Sequence, residues 1–269
     1  MSDVIPSAVL MCHAPIVIPD IGGAEAPRCA SSTHAMREAS RHVVGARPDV
    51  VVIASPHAPR HPASWLVAED PRVGGSFGRF GVPHVGAAVP FAAHAARAIV
   101  HAATEAGLSC AGARLGELDH GTLVPLWFLT EAGWDGPTVR IALPMQPTHE
   151  GCAAMGRAIE AAARAEGQRW VVVASGDMSH RLTHDAPAGY DPQAHRFDEA
   201  VCDRVHRGKY DAIARLDPDL RERAGEDVVD TLEIAAGAVG GDATGHRLLS
   251  YEGPFGVGYL VAVLHDSQG

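Results

Sequence analysis

Val50-Val51-Val52-Ile53-Ala54-Ser55-Pro56-His57 is the stretch that decides the fold. Five consecutive apolar residues, four of them β-branched and none alternating with polar ones, describe a strand buried on both faces. Such strands lie inside sheets that carry helices on either side. The run is too short for a helix and breaks at Ser-Pro, so the strand delivers His57 to the loop beyond its carboxyl end. Two other segments repeat the arrangement. Residues 4–11 are apolar and end at Cys12-His13-Ala14-Pro15, and residues 170–174 end at Ser175-Gly176-Asp177-Met178-Ser179-His180.

Outward from these strands the pattern alternates. Helical segments are expected at 31–45, 91–106, from His120 through 129, 152–166, 198–207 and 227–239, with further strands at 139–143, 248–251 and 258–264. Residues 71–90, rich in Gly, Pro and Val, read as a long loop or irregular strands near the site. Strands alternating with helices predict an α/β fold, a single-domain sandwich over residues 1–269 with a central, mostly buried sheet flanked by helices. No internal repeat, heptad, low-complexity tract or linker interrupts it.

Composition narrows the function. The 269 residues are 46% hydrophobic and 20% charged, ordinary for a globular protein with a sizeable core. A formal net charge of −10 disfavours nucleic acid and anionic membrane as partners, because both need a basic surface. No basic leader followed by a long apolar run is present, so a cytoplasmic location is expected. Five cysteines (Cys12, Cys29, Cys110, Cys152, Cys202) are scattered without a C-x-x-C pair, which predicts reduced thiols.

The chemistry is carried by histidines at strand ends. In open α/β sheets ligands bind beyond the carboxyl ends of the strands, so His13, His57 and His180 are candidates to converge. One strand-end histidine is more often a surface residue; three, together with His120 after Asp119, point to a metal or acid–base site. Two histidines plus a carboxylate with open positions suit non-haem Fe(II) oxygen chemistry. A carboxylate is available in Ala224-Gly225-Glu226-Asp227, although acidic residues there equally suit a first helical turn.

These residues carry a resemblance. Cys12-His13-Ala14-Pro15 followed by Ile18-Pro19-Asp20-Ile21-Gly22, Ser55-Pro56-His57, Leu118-Asp119-His120-Gly121-Thr122 and Ser175-Gly176-Asp177-Met178-Ser179-His180 occur in the order seen in class III (LigB-type) extradiol dioxygenases. Gly189-Tyr190-Asp191-Pro192, Phe197-Asp198 and Val257-Gly258-Tyr259 extend the likeness across nearly the whole chain. The resemblance implies Fe(II) held by His13, His57 and a later acidic residue. Register places Asp227 at that position, whereas residue type favours Glu226. It further implies His180 as the acid–base histidine and His120 as a second active-site histidine. A small aromatic substrate and O2 are the implied partners, and a homodimer is compatible.

Asp119 and Asp177 are candidates to orient the site histidines or to cap local turns. Tyr190 is a candidate to hydrogen-bond a substrate oxygen or to pack within its loop. Cys12, where relatives commonly have proline, is a candidate to line the pocket and is expected rather as a small buried hydrophobe. Two rival readings stay open. One is a Memo-like metal-binding or redox protein of the same superfamily, whose members carry cysteine at the third ligand position. The other is a zinc-dependent hydrolase.

Overall fold

A computed structural model of the chain describes residues 4–268. Its strands are β1 (Ser7–Met11), β2 (Val50–Ser55), β3 (Trp65–Ala68), β4 (Arg72–Phe77), β5 (Val82–Pro90), β6 (Cys110–Ala113), β7 (Thr138–Ala142), β8 (Trp170–Ser175), β9 (Arg247–Glu252) and β10 (Tyr259–Asp266). The helices are α1 (Pro19–Gly22), α2 (Ala30–Gly45), α3 (Ala93–Glu105), α4 (His120–Glu131), α5 (His149–Glu166), α6 (Ala194–His206), α7 (Pro218–Ala224) and α8 (Val229–Ala238).

Eight strands form one sheet in the order β6-β3-β7-β2-β8-β1-β10-β9. The inner four, β7, β2, β8 and β1, are parallel, so their carboxyl ends share one edge. Register aligns Ala8, Val52 and Val172 on one face and Val9, Ile53 and Val173 on the other. All six are fully buried, the first three in a core shared with α3, α5, α6 and α8, the others in a core shared with α2 and α4. Two covered faces explain why these strands lack polar alternation. The architecture is the expected α/β sandwich. No helix among the described residues is long and apolar enough to cross a membrane.

Several boundaries differ from the sequence reading. Of the two readings of residues 71–90, the irregular strands hold: β4 and β5 form an antiparallel hairpin with an irregularity between Ser76 and Phe77. Glycine is required there: a Cβ on Gly86 would stand 2.4 Å from the Gly75 carbonyl oxygen. The short strands β3 and β6 at one end of the sheet are additions to the sequence reading; the edge strand β6, Cys110-Ala-Gly-Ala113, carries almost no strand propensity and forms by pairing with β3. α6 begins at Ala194, ahead of the expected 198, and α7 was also missed.

Candidate metal centre

Each of the strands β1, β2 and β8 ends in a turn that carries part of the site. His13 follows β1 and is 1% exposed; His57 follows β2. Their Nε2 atoms lie 3.1 Å apart. Asp227, two residues before α8, brings Oδ2 to 3.0 Å from His57 Nε2 and 3.4 Å from His13 Nε2. Cis donors on an octahedral ion at about 2.1 Å are about 3.0 Å apart, so this triangle has the dimensions of a metal face. His120, at the start of α4, joins the group. Ligand nitrogens of His13, His57 and His120 all lie within 4.8 Å of one another.

The surroundings fix each donor. Asp177 Oδ1 accepts from the His13 backbone N–H at 2.9 Å. The Asp177 N–H donates to Asp227 Oδ1 at 2.8 Å, and Asp227 N–H donates to the Asp177 carbonyl at 3.2 Å. One carboxylate oxygen of Asp227 is thereby tied down, and Oδ2 is left facing the imidazoles. Asp177 thus anchors His13 and Asp227 rather than His180, three residues after it in sequence. Asp119 caps α4 through Thr122 N–H and also accepts from the Ser55 hydroxyl. Ser55 Oγ in turn accepts from His57 N–H at 3.2 Å, so the cap and the positioning of His57 are one network. Buried Arg140 of β7 holds Asp119 at 3.5 Å and Asp70 at 3.2 Å.

A proline sets the tautomer of His13. Pro125 lies within α4 and has no N–H to give the carbonyl four residues earlier, that of Gly121. The Gly121 carbonyl accepts the Ser175 hydroxyl proton instead. With its one proton committed, Ser175 Oγ can only accept from His13 Nδ1, 3.0 Å away. Nδ1 therefore carries hydrogen, and Nε2 is the nitrogen aimed at Asp227 and His57.

Charge follows the same geometry. Burial works against a protonated His13, but the Asp177 and Asp227 carboxylates outweigh it and raise its pKa to about 9. Burial would likewise raise Asp227, yet His13 and His57 hold its carboxyl well below the usual range. Burial, with His57 and His13 alongside, lowers His120 to about 4, so that imidazole is neutral at neutral pH. A cluster that binds a proton this strongly attracts a divalent cation, which would displace it.

The remaining sequence candidates lie elsewhere. Glu226 is buried with Oε1 on Arg221 Nε at 2.6 Å and Oε2 accepting from Val228 and Val229 N–H at 2.8 and 2.9 Å. It closes the start of α8. His180 is half-buried; its Nδ1 donates to the Met178 carbonyl at 3.1 Å, so Nε2 is the ring nitrogen not used in that bond. Tyr190 is 46% exposed with its ring 4.2 Å from that of His184, so it is not packed into the interior. Cys12 is fully buried, as expected for a small hydrophobe, and all five cysteines are free. The sequence assigns no role to Ser55, Ser175, Pro125 or Arg140. The sharpest available signals were an arginine inside the apolar strand Thr138–Ala142 and a proline inside a helix.

A cleft of about 790 Å³ opens beside the cluster, lined by His57, His120, Leu123, Phe80 and Gly74–Gly75 of the hairpin. Two measurements probe the frame around it. A Cβ on Gly176 would meet Val228 Cα at 2.4 Å, next to Asp227. Gly176→Ala is therefore expected to destabilise the fold by about 1–3 kcal/mol in urea unfolding and to weaken metal binding with it. Asp198, 1% exposed, accepts from Ser179 N–H and from the Tyr251 hydroxyl, and burial pushes its pKa up to about 6. The folded state then holds this proton more tightly than the unfolded chain, so stability falls as pH rises from about 4 to 6. Relative to Asp198→Asn, wild type should lose on the order of 2–3 kcal/mol across that window.

The chain is similar to known proteins in sequence and fold. The family described as the catalytic LigB subunit of aromatic ring-opening dioxygenase matches residues 7–262. A Clostridium acetobutylicum protein, CA_C1420, is 28% identical over 264 residues, 95% of this chain. The chain spans 56% of that relative's length. The crystal structure of JW3007 from Escherichia coli K12 superposes with a TM-score of 0.64 at 19% identity, covering 95% of this chain and 98% of the other. At that identity the likeness concerns the fold alone.

Proposed function

The chain belongs to the family of the catalytic LigB subunit of aromatic ring-opening dioxygenases, and from that premise we propose that it is an Fe(II)-dependent extradiol dioxygenase. Its substrate is a catechol- or aminophenol-type ring, opened with O2. The observation that supports this reading best is the triangle of His13 Nε2, His57 Nε2 and Asp227 Oδ2, with sides of 3.0 to 3.4 Å. Two imidazoles and one carboxylate on one face of an ion leave the opposite positions for substrate and O2. Asp227, not Glu226, is the proposed third ligand, because Glu226 spends both oxygens on Arg221 and the start of α8.

Ferrous iron bound there would polarise the two adjacent ring heteroatoms and give electrons a path from ring to O2. The protein supplies the rest. His180 Nε2, the ring nitrogen not bonded to Met178, accepts the substrate's hydroxyl proton and later returns it. His120 lines the cleft as a neutral imidazole and assists that transfer. Phe80 and Leu123 give the ring apolar walls, and the Asp177 clasp keeps Asp227 Oδ2 aimed inward.

The test is an anaerobic Fe(II)-loaded screen of catechols and aminophenols. O2 uptake matched by a new yellow ring-opened product is the expected result. Metal-loaded, folded protein that consumes no O2 with any of them would leave a Memo-like binding role. Hydrolysis independent of O2 would replace the proposal with the zinc reading.

A further inference from the structure

A second group of ligand atoms lies between α5 and α8. These helices touch through glycines: a Cβ on Gly156 would stand 2.2 Å from the Ile234 carbonyl oxygen, and one on Gly237 2.6 Å from that of Ala153. Four residues before each glycine come Cys152 and Glu233. Asp230 precedes Glu233 by three residues and so shares its helix face. Ligand atoms of Cys152, Asp230 and Glu233 all lie within 4.8 Å of one another.

An independent observation points to a missing cation. Glu233 is 4% exposed; its Oε1 lies 3.1 Å from His149 Nδ1, whereas its Oε2 is buried with no hydrogen-bond partner. A carboxylate oxygen left bare in the interior is costly. The neighbouring cation, Arg221, already serves Glu226 at 2.6 Å and Asp230 Oδ1 at 3.0 Å. A thiolate and two carboxylates would carry three negative charges, and with Arg221 shared between Glu226 and Asp230, a divalent ion offsets most of what is left.

We propose that Cys152, Asp230 and Glu233 form a second metal site, selective for zinc, that staples α5 to α8. Thiolate with carboxylates suits Zn2+ and disfavours magnesium and calcium, which take oxygen ligands only. On binding, the Cys152 thiol releases its proton to solvent as the zinc–sulfur bond forms. His149 holds Glu233 Oε1 and turns Oε2 to the ion. The staple fixes the start of α8, just after Asp227.

Cobalt(II) substitution under reducing conditions separates this site from the histidine cluster, since only a thiolate ligand produces sulfur-to-cobalt charge-transfer absorption in the near ultraviolet. Wild type should show the band and bind two Co2+ per chain. Cys152→Ala and Glu233→Gln should each bind one, with the band lost in Cys152→Ala. His57→Ala should keep the band. His149→Ala should weaken the site by about 10- to 100-fold in chelator competition. A folded wild type with no band, or a band that survives Cys152→Ala, would overturn the proposal.

Discussion

Asp227→Ala is expected to remove iron binding and ring opening together. The substitution takes away the carboxylate that lies 3.0 and 3.4 Å from the two imidazole nitrogens. What stays behind is Asp177, 3.8 Å from His13 Nε2, whose Oδ1 is already committed to the His13 backbone. An ion at the site then faces only the imidazoles of His13, His57 and His120 and loses its charged ligand. Since even an outer hydrogen-bond partner of a ligand is worth about 10- to 100-fold in affinity or activity, losing the ligand itself should cost at least about 1,000-fold. Metal analysis after anaerobic Fe(II) loading and gel filtration, run beside O2 uptake, reads both effects. Glu226→Gln serves as the control: it should unfold more readily, having lost the full charge opposite Arg221, yet retain one iron per chain at the cluster. Iron retained by Asp227→Ala and lost by Glu226→Gln would reverse the assignment.

His180→Ala should separate binding from chemistry. The Nδ1 of His180 is occupied by the Met178 carbonyl, and His180 is not one of the three triangle residues. Iron stoichiometry and KM should change little, whereas turnover should fall by about 10²- to 10⁴-fold, the range for a missing general acid–base group. The pH–rate profile provides a second readout, because the limb that reports the essential base should disappear with the imidazole. Full activity in this variant would exclude His180 and shift the role to His120, whose lowered pKa makes it a neutral imidazole lining the cleft.

Those residues were legible in the sequence to different degrees, for physical reasons. A strand buried on both faces must be apolar throughout, so β2 and β8 announce themselves, and with them the edge of the sheet where His13 and His57 emerge. That Asp227 rather than Glu226 faces the histidines was not legible, because adjacent residues before a helix differ only in which way they turn. Here Gly176 decides it by letting Val228 pack against its backbone, so that Asp177 can clasp Asp227. The tautomer of His13 was likewise hidden. It depends on Pro125 and Gly121, one helical turn apart, and on Ser175, far from both in the chain, whose link is a single redirected hydroxyl proton. Edge strands such as β6 escaped for the opposite reason, since their formation depends on a partner and not on their own residues.

Iron-edge anomalous diffraction from crystals loaded anaerobically with Fe(II) tests the central claim most directly. The account predicts one strong peak about 2.0–2.2 Å from His13 Nε2, His57 Nε2 and Asp227 Oδ2, with its remaining positions open to the cleft. No peak among these three atoms, or an ion ligated by a different set of side chains, would contradict it.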